Sequence, residues 1–170
     1  TCCDRFIASE IMISNFDNNK YSASAAKHLF WFTEFRRAAV LLHQGETIND
    51  IKKQSEENNL FGATSQERGK MIFAAISQRL QSLPAVFLDL FSSSDIAVQK
   101  QIVLLSIMLS DRLFFDFMYE VVRGKFLIGS DELGDSDYRI FFSAKQREHE
   151  QIASWKDYTL KKLSTVYRGY

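Results

Sequence analysis

The chain has 170 residues, and its 21 Lys and Arg are balanced by 21 Asp and Glu, with three His, seven Gly and one Pro. That length holds one domain or two small ones, and 46% hydrophobic with 14% aromatic residues excludes wholesale disorder. A single Pro and few Gly exclude a turn-rich β-sandwich or a collagen-like chain, and zero net charge excludes a uniformly basic, histone-like surface while leaving room for a local basic patch.

Residues 1–20 form a mixed lead-in, where DRFIASEIMISNF has the pattern of a short helix and DNNK, 17–20, that of a turn. It shows no basic-then-apolar leader pattern. Cys2 and Cys3 are the only cysteines. Tetrahedral zinc needs two further ligands, and His28, His43 and His149 stand at no recognisable spacing, so neither a metal nor a disulfide framework is expected.

A long helix is expected from Ser22 or Ser24 to His43, with Leu29, Phe30, Phe32, Phe35, Ala38, Ala39 and Leu42 at roughly helical spacing and Gly45 as the break. Thr47 and Asp50 resemble a capping pair for a second helix, which Ile48 and Ile51 begin and Asn58–Asn59 end. Thr64 and Glu67 repeat that spacing ahead of a third helix reaching about Ser82. Its buried stripe is expected at Ile72, Phe73, Ile76, Leu80 and Leu83, with Glu67, Lys70, Ala74, Gln78 and Gln81 opposite. Pro84 fits the first turn of a short helix through Phe91.

After the serine run 92–94, a helix over 95–109 is expected to give Ile96, Val103, Leu104, Ile107 and Met108 to a core. Further helices are expected over 111–127, around Tyr138, Ile140, Phe141 and Phe142, and from Ser154 to Tyr167, where Trp155, Leu160, Leu163 and Val166 are the core positions. The longest uncharged apolar run, QIVLLSIMLS at 101–110, is half of the ~20 residues that span a bilayer, so no membrane contact is expected and a cytoplasmic location is the default. The fold class is all-α: a multi-helix globular protein with an N-terminal helix-turn-helix-like unit. The expected division is a lead-in over 1–20, a helix-turn-helix-like helical domain over 21–91 and a C-terminal helical domain over 92–170.

Charge is informative once divided. Segments 1–19, 20–82, 83–138 and 139–170 carry −2, +3, −5 and +4, so neutrality is a sum of unlike regions. Part of the surface is therefore able to attract phosphate.

Three stretches carry candidate chemistry. The first is 47–80, a short helix, a turn and a longer helix, the general form of a helix-turn-helix. Its second helix would present Thr64, Ser65 and Gln66 at the start and Arg68 and Lys70 one turn in, side chains suited to base edges and phosphates. Arg36, Arg37, Lys52 and Lys53 are further phosphate candidates. The competing reading is two capped helices with solvated faces. In the second stretch, DRLFFDFMYEVVRGKF at 111–126, Arg112–Asp116 and Glu120–Arg123 are spaced for helix salt bridges rather than catalysis. The third, WKDYTLKKLSTVYRGY at 155–170, is a basic amphipathic helix whose Lys161 and Lys162 would face a nucleic acid, an acidic partner or solvent. No G-x-S-x-G, H-E-x-x-H or glycine-rich phosphate loop occurs, so neither an enzyme nor a cofactor is expected.

YSASAAKHLFWFTEFRRAAVLLHQGET at 21–47, IKKQSEENNLFGATSQERGK at 51–70, ISQRLQSLP at 76–84, LSDRLFFDFMYEVVRGKF at 109–126 and WKDYTLKKL at 155–163, in that order and spacing, resemble the BrxA family of bacterial BREX bacteriophage-exclusion systems. The resemblance covers nearly all of 21–170. It implies an all-helical fold with an N-terminal part similar to winged or plain helix-turn-helix domains, a place in anti-phage defence beside other BREX proteins, and binding to double-stranded DNA. It brings no catalytic residue set. What it carries over is the position of the groove helix, which falls on Ser65, Gln66, Arg68 and Lys70. The expected function is a non-catalytic accessory protein docking on duplex DNA; the second reading is a protein-interaction scaffold with little affinity for nucleic acid.

Overall fold

The computed structural model describes residues 20–130 and 132–170, and every regular element among them is helical. Cys2, Cys3 and the helix expected over 4–16 lie outside the described residues. A 3-10 turn, Ser24–Lys27, precedes ten α-helical segments: α1 Phe32–His43, α2 Ile48–Glu57, α3 Gln66–Ser82, α4 Ala85–Ser93, α5 Ile96–Ser110, α6 Arg112–Phe117, α7 Arg123–Leu127, α8 Asp135–Glu148, α9 Glu150–Ala153 and α10 Asp157–Gly169. A π-helical stretch, Met118–Val122, joins α6 to α7. Packing divides the chain into two compact units, one of Lys27–Ser110 with Gly169–Tyr170, the other of 20–26 with Asp111–Arg168.

In the first unit α1 does not begin where the periodicity places it. Residues 28–30 leave the helix and Trp31 adopts the left-handed conformation at φ 50°, so α1 starts at Phe32. The cause is distant in sequence: the buried Arg79 guanidinium donates to the carbonyls of Phe30 (2.8 Å) and Leu29 (2.9 Å), and the Tyr170 hydroxyl donates to that of His28 (3.0 Å). Main-chain acceptors held this way have no need of helical donors.

Thr47 caps α2 as expected, its hydroxyl accepting from Asp50 N–H while the Asp50 carboxylate accepts from Thr47 N–H. The cap of α3 is Ser65 rather than Thr64, one residue later, its Oγ accepting from Arg68 N–H at 3.2 Å. Ile72, Ile76, Leu80 and Leu83 are buried as expected, joined by Phe35, Ala38 and Ala39 of α1, Ile51, Phe91, Ile102, Val103 and Ile107, while Phe73 is half-buried. Pro84 sits at the N-cap of α4, where its missing N–H costs nothing, and α3 and α4 meet at a 106° bend. Ile96, expected in the core, is exposed at the start of α5. Gln99 is buried instead and donates across the serine run to the carbonyls of Phe91 and Ser94. Among the described residues no single helix is long and apolar enough to cross a membrane.

The second unit has an aromatic core. Phe114 and Phe142 lie 4.9 and 5.9 Å from the Tyr167 ring, and Phe117 is 5.0 Å from Tyr138 and 5.3 Å from Phe141. Ile140 points out, as do Phe126, Leu127 and Ile128 at the end of α7. Arg112 and Asp116 pair at 3.0 Å as their spacing predicts. Glu120 and Arg123 do not pair as expected: the π stretch carries an Arg123 N–H to Met118 C=O bond, Glu120 reaches Lys145 of α8 at 2.6 Å, and Arg123 lies over the Tyr119 ring. Inserting one residue into a helix rotates the residues beyond it by about 100°, which breaks an i,i+3 alignment.

Lys145 is buried beside Asp116 as well, at 3.5 Å, and the Tyr21 hydroxyl donates to Asp116 at 2.7 Å. Burial draws the Lys145 ammonium down, but its hydrogen bond to Glu120 and the field of Asp116 outweigh this and leave it above the ordinary lysine value. His149, expected in an exposed helix, instead occupies the extended residue between α8 and α9, its ring 4.6 Å from that of Tyr21. The last helix starts at Asp157 rather than Ser154, and Trp155 is half-buried ahead of it.

Candidate nucleic-acid interface

Helices α2 and α3 pack on each other and are joined by residues 58–65, a connector longer than the three or four residues of a tight helix-turn-helix turn. It is nonetheless well tied. Asn59, at φ 48°, accepts from Ala63 N–H at 2.7 Å and donates to the Ala63 carbonyl at 3.0 Å, and Gly62 N–H donates to the Asn59 carbonyl. Phe61 is buried beneath it, and Arg37 of α1 donates to the Leu60 carbonyl at 2.9 Å. Gly69 is buried where α3 passes the connector, and a Cβ there would meet the Ala63 methyl at 3.6 Å, an ordinary van der Waals contact.

This loop folds the start of α3 against the end of α2 and leaves a groove of about 460 Å³ between them, lined by Ser55, Glu56, Asn59, Ser65, Gln66 and Lys70. A second hollow of about 360 Å³ shares Ser55, Glu56 and Lys70 and adds Lys52 and Phe73. Four of the sequence-predicted residues therefore converge on one surface: Lys52, Ser65, Gln66 and Lys70. Ser65 and Gln66 are exposed at the N-terminal end of a 17-residue helix, where backbone N–H groups and the helix dipole favour an anion.

The remaining candidates have other surroundings. Arg68 is exposed on the first turn of α3 but lines neither hollow. The Thr47 hydrogen bonds lower the Asp50 pKa, and the charge of Lys53, itself exposed, adds to this. Arg36 is exposed on α1, whereas Arg37 is engaged in holding the connector. In the second unit Lys161 lines a groove of about 510 Å³ between α8 and α10 with Arg139, Arg168, Asp135 and Asp157, a mixed rather than cationic surface. Lys162 stands 5.8 Å from the Tyr158 ring.

Ser55, Glu56 and Asn59 are polar lining residues that reading along the chain misses. The Asn58–Asn59 pair signals a helix end, and the left-handed Asn59 both ends α2 and shapes the groove. Among the described residues no group of three or more His, Cys, Asp or Glu is arranged to hold a metal ion.

The model of the BrxA family matches residues 19–169. A "BREX protein BrxA" of Bacillus cereus (strain H3081.97) is 37% identical over 147 residues, which cover 86% of this chain and 74% of that protein. The chain belongs to the BrxA family. Membership accounts for both units, since the match runs through α1 to α10 and takes in the α2–α3 groove and the aromatic core alike. In this BrxA-family chain the helix boundaries that differ from the periodicity, at Phe32 and at the π stretch, both fall inside the matched span.

Proposed function

We propose that the chain is a non-catalytic accessory protein of a BREX anti-phage system, working in the cytoplasm beside other BREX proteins and docking on duplex DNA through the α2–α3 surface. The observation that carries this reading is the convergence of Lys52 and Lys70 with Ser65 and Gln66 at the open end of α3. In this use α2 and α3 act as a helix-turn-helix-like pair with a long connector. The lysines neutralise phosphates, the first N–H groups of α3 meet a phosphate oxygen, and Gln66 faces a base edge. Arg68, Arg36 and Lys53 add field strength nearby rather than groove contacts, and Lys161 and Lys162 would serve a separate contact.

One observation favours the second reading, a protein-interaction scaffold. Glu56 lines both hollows beside the lysines, and its carboxylate suits a partner of mixed charge better than a phosphate backbone.

Fluorescence anisotropy of a labelled duplex against salt separates the two. Docking on phosphate predicts affinity falling steeply with salt, with a log–log slope of about −0.9 per neutralised phosphate, and Lys52→Ala with Lys70→Ala should reduce that slope by about 2. Absence of binding at about 50 mM salt would leave the scaffold reading in place. Full binding by the double variant would remove this surface from the DNA contact.

A further inference from the structure

The groove between α2 and α3 holds a carboxylate that the fold itself does not use. Glu56 lines both hollows, beside Lys52 and Lys70 in one and beside Ser65, Gln66 and Lys70 in the other. Glu56, Lys52 and Lys70 are exposed, and among the described residues none of them makes a side-chain hydrogen bond or an ion pair.

Glu56 also stands against its own helix. It lies in the last turn of α2, where the negative end of the helix dipole favours Lys, Arg or His. That turn has no basic residue and carries Glu56 and Glu57, of which only Glu56 lines the hollows. A charge set against its helix and left without an internal partner is a local conflict of the kind proteins keep at functional sites.

Phosphates give such a carboxylate no role, because they repel it. Base edges do. In the major groove guanine offers the N7 and O6 acceptors and thymine the O4 acceptor, which repel a carboxylate as well, whereas cytosine N4 and adenine N6 are donors. Adenine sets its N6 donor next to the N7 acceptor, so a carboxylate reaching N6 with one oxygen brings the other towards N7. Cytosine has no acceptor beside N4 on its own base. Across the pair, guanine adds O6 and N7, which an ammonium group satisfies. A carboxylate with a lysine beside it therefore complements the edge of a C·G pair.

We propose that Glu56 sets the base preference of this surface, its carboxylate accepting from cytosine N4 while Lys70 donates to the paired guanine and Lys52 stays on the phosphates. The assignment rests on duplex docking through the α2–α3 surface and adds the base pair preferred there.

The test titrates the full chain, by fluorescence anisotropy at about 50 mM salt, against two labelled hairpin duplexes of equal length, one of alternating C·G pairs and one of alternating T·A pairs. The C·G hairpin should bind about fivefold more tightly, the size of one good base contact. Glu56→Gln conserves the shape of the side chain and removes its charge. A glutamine amide pairs with adenine N6 and N7, so the preference should pass to the T·A hairpin. Glu56→Ala should bind the T·A hairpin more tightly than the parent does and lose most of the discrimination. Helical circular dichroism and the urea midpoint should stay at the parent values in both variants, since the side chain is exposed. A parent chain that binds the hairpins equally or favours T·A, or a Glu56→Gln variant with the parent's preference, would overturn the assignment while leaving duplex docking in place. Failure to bind either hairpin would remove duplex docking itself, and the assignment with it.

Discussion

In the first unit the buried cation, Arg79, donates to main-chain carbonyls at residues 29 and 30 and lies 5.8 Å from the ring centres of both Trp31 and Tyr170. In the second, the buried cation is Lys145, set among the carboxylates of Asp116, Glu120 and Glu148. The cores around them differ in kind: largely aliphatic around α3 and α5, aromatic around α6, α8 and α10. The contrast separates two uses of a buried charge. Arg79 stabilises a break in the backbone that no local signal encodes. Lys145 completes a set of ion pairs in which it and Asp116 are buried side by side, each offsetting the burial of the other, while Glu120 and Glu148 reach in from solvent.

The largest effect is therefore expected in the second unit. Asp116 accepts from the Tyr21 hydroxyl, from Arg112 and from Lys145. Asp116→Ala takes from the Lys145 ammonium its one buried carboxylate, leaving it Glu120 and Glu148, and from the half-buried Tyr21 hydroxyl its acceptor, and should cost about 3 kcal/mol in urea unfolding. Lys145→Met alone should cost a comparable amount, about 3 kcal/mol, by taking from Asp116 the cation buried beside it and leaving it Arg112 and Tyr21. The double variant should lose clearly less than the sum, because the contact between the two buried charges is then lost only once. Additive losses would mean that the two side chains act separately and would dissolve the distinction drawn between the units.

Next in size is Arg79→Met. It strands the carbonyls of Leu29 and Phe30 beside a left-handed Trp31, and a loss of about 2 kcal/mol is expected. Arg79→Lys should recover only part of it, since one ammonium does not reproduce a planar fork reaching two carbonyls. Hydrogen exchange would locate the damage: faster exchange at the start of α1, with α2 and α3 protected. An unchanged α1 would show that the break forms without the guanidinium.

Legibility in the sequence divides along the same line. The Thr47–Asp50 cap, the Ile72–Ile76–Leu80 stripe and the Arg112–Asp116 pair each depend on residues within a few positions, and periodicity or spacing finds them. The break before Phe32 depends on Arg79, some fifty positions away, and on Tyr170 at the far end of the chain, so the apolar spacing reads straight through it. Thr64 and Ser65 both have hydroxyls at cap spacing, and only the path of the connector selects the second. At the groove, Ser65, Gln66 and Lys70 are legible as the start of a helix, but Lys52 joins them because Asn59 and Ala63 turn the chain back on itself. Arg37 looks like a free cation in sequence and is spent on that same turn. Glu120 is misread because the π stretch changes the helical repeat beneath it.

The smallest effect sharpens the comparison through pH. His28 lies beside the Arg79 contact: burial holds its imidazole neutral, the charges of Arg79 and Lys27 add to this, and its pKa falls to about 4. An unfolded chain binds a proton there near pH 6.5, the folded one only near 4. Between those values the unfolded state holds more protons, so stability in this unit should drop as pH falls from 6.5 towards 4 and stay level above 6.5. Because the ring is only partly buried, the loss should be about 1 kcal/mol rather than the full amount of the shift. Carboxylates begin to titrate at the acid end of the same window, which makes His28→Gln the necessary reference: its urea midpoint should change less between pH 7 and 4.5 than that of the parent chain. Arg79→Met should move the His28 titration upward, seen by NMR at the imidazole, since the second cause of the depression is gone. A His28 resonance titrating near 6.5 in the parent chain would mean that the imidazole is solvated, and that Arg79 orders the backbone of residues 28–31 without setting the electrostatics around it.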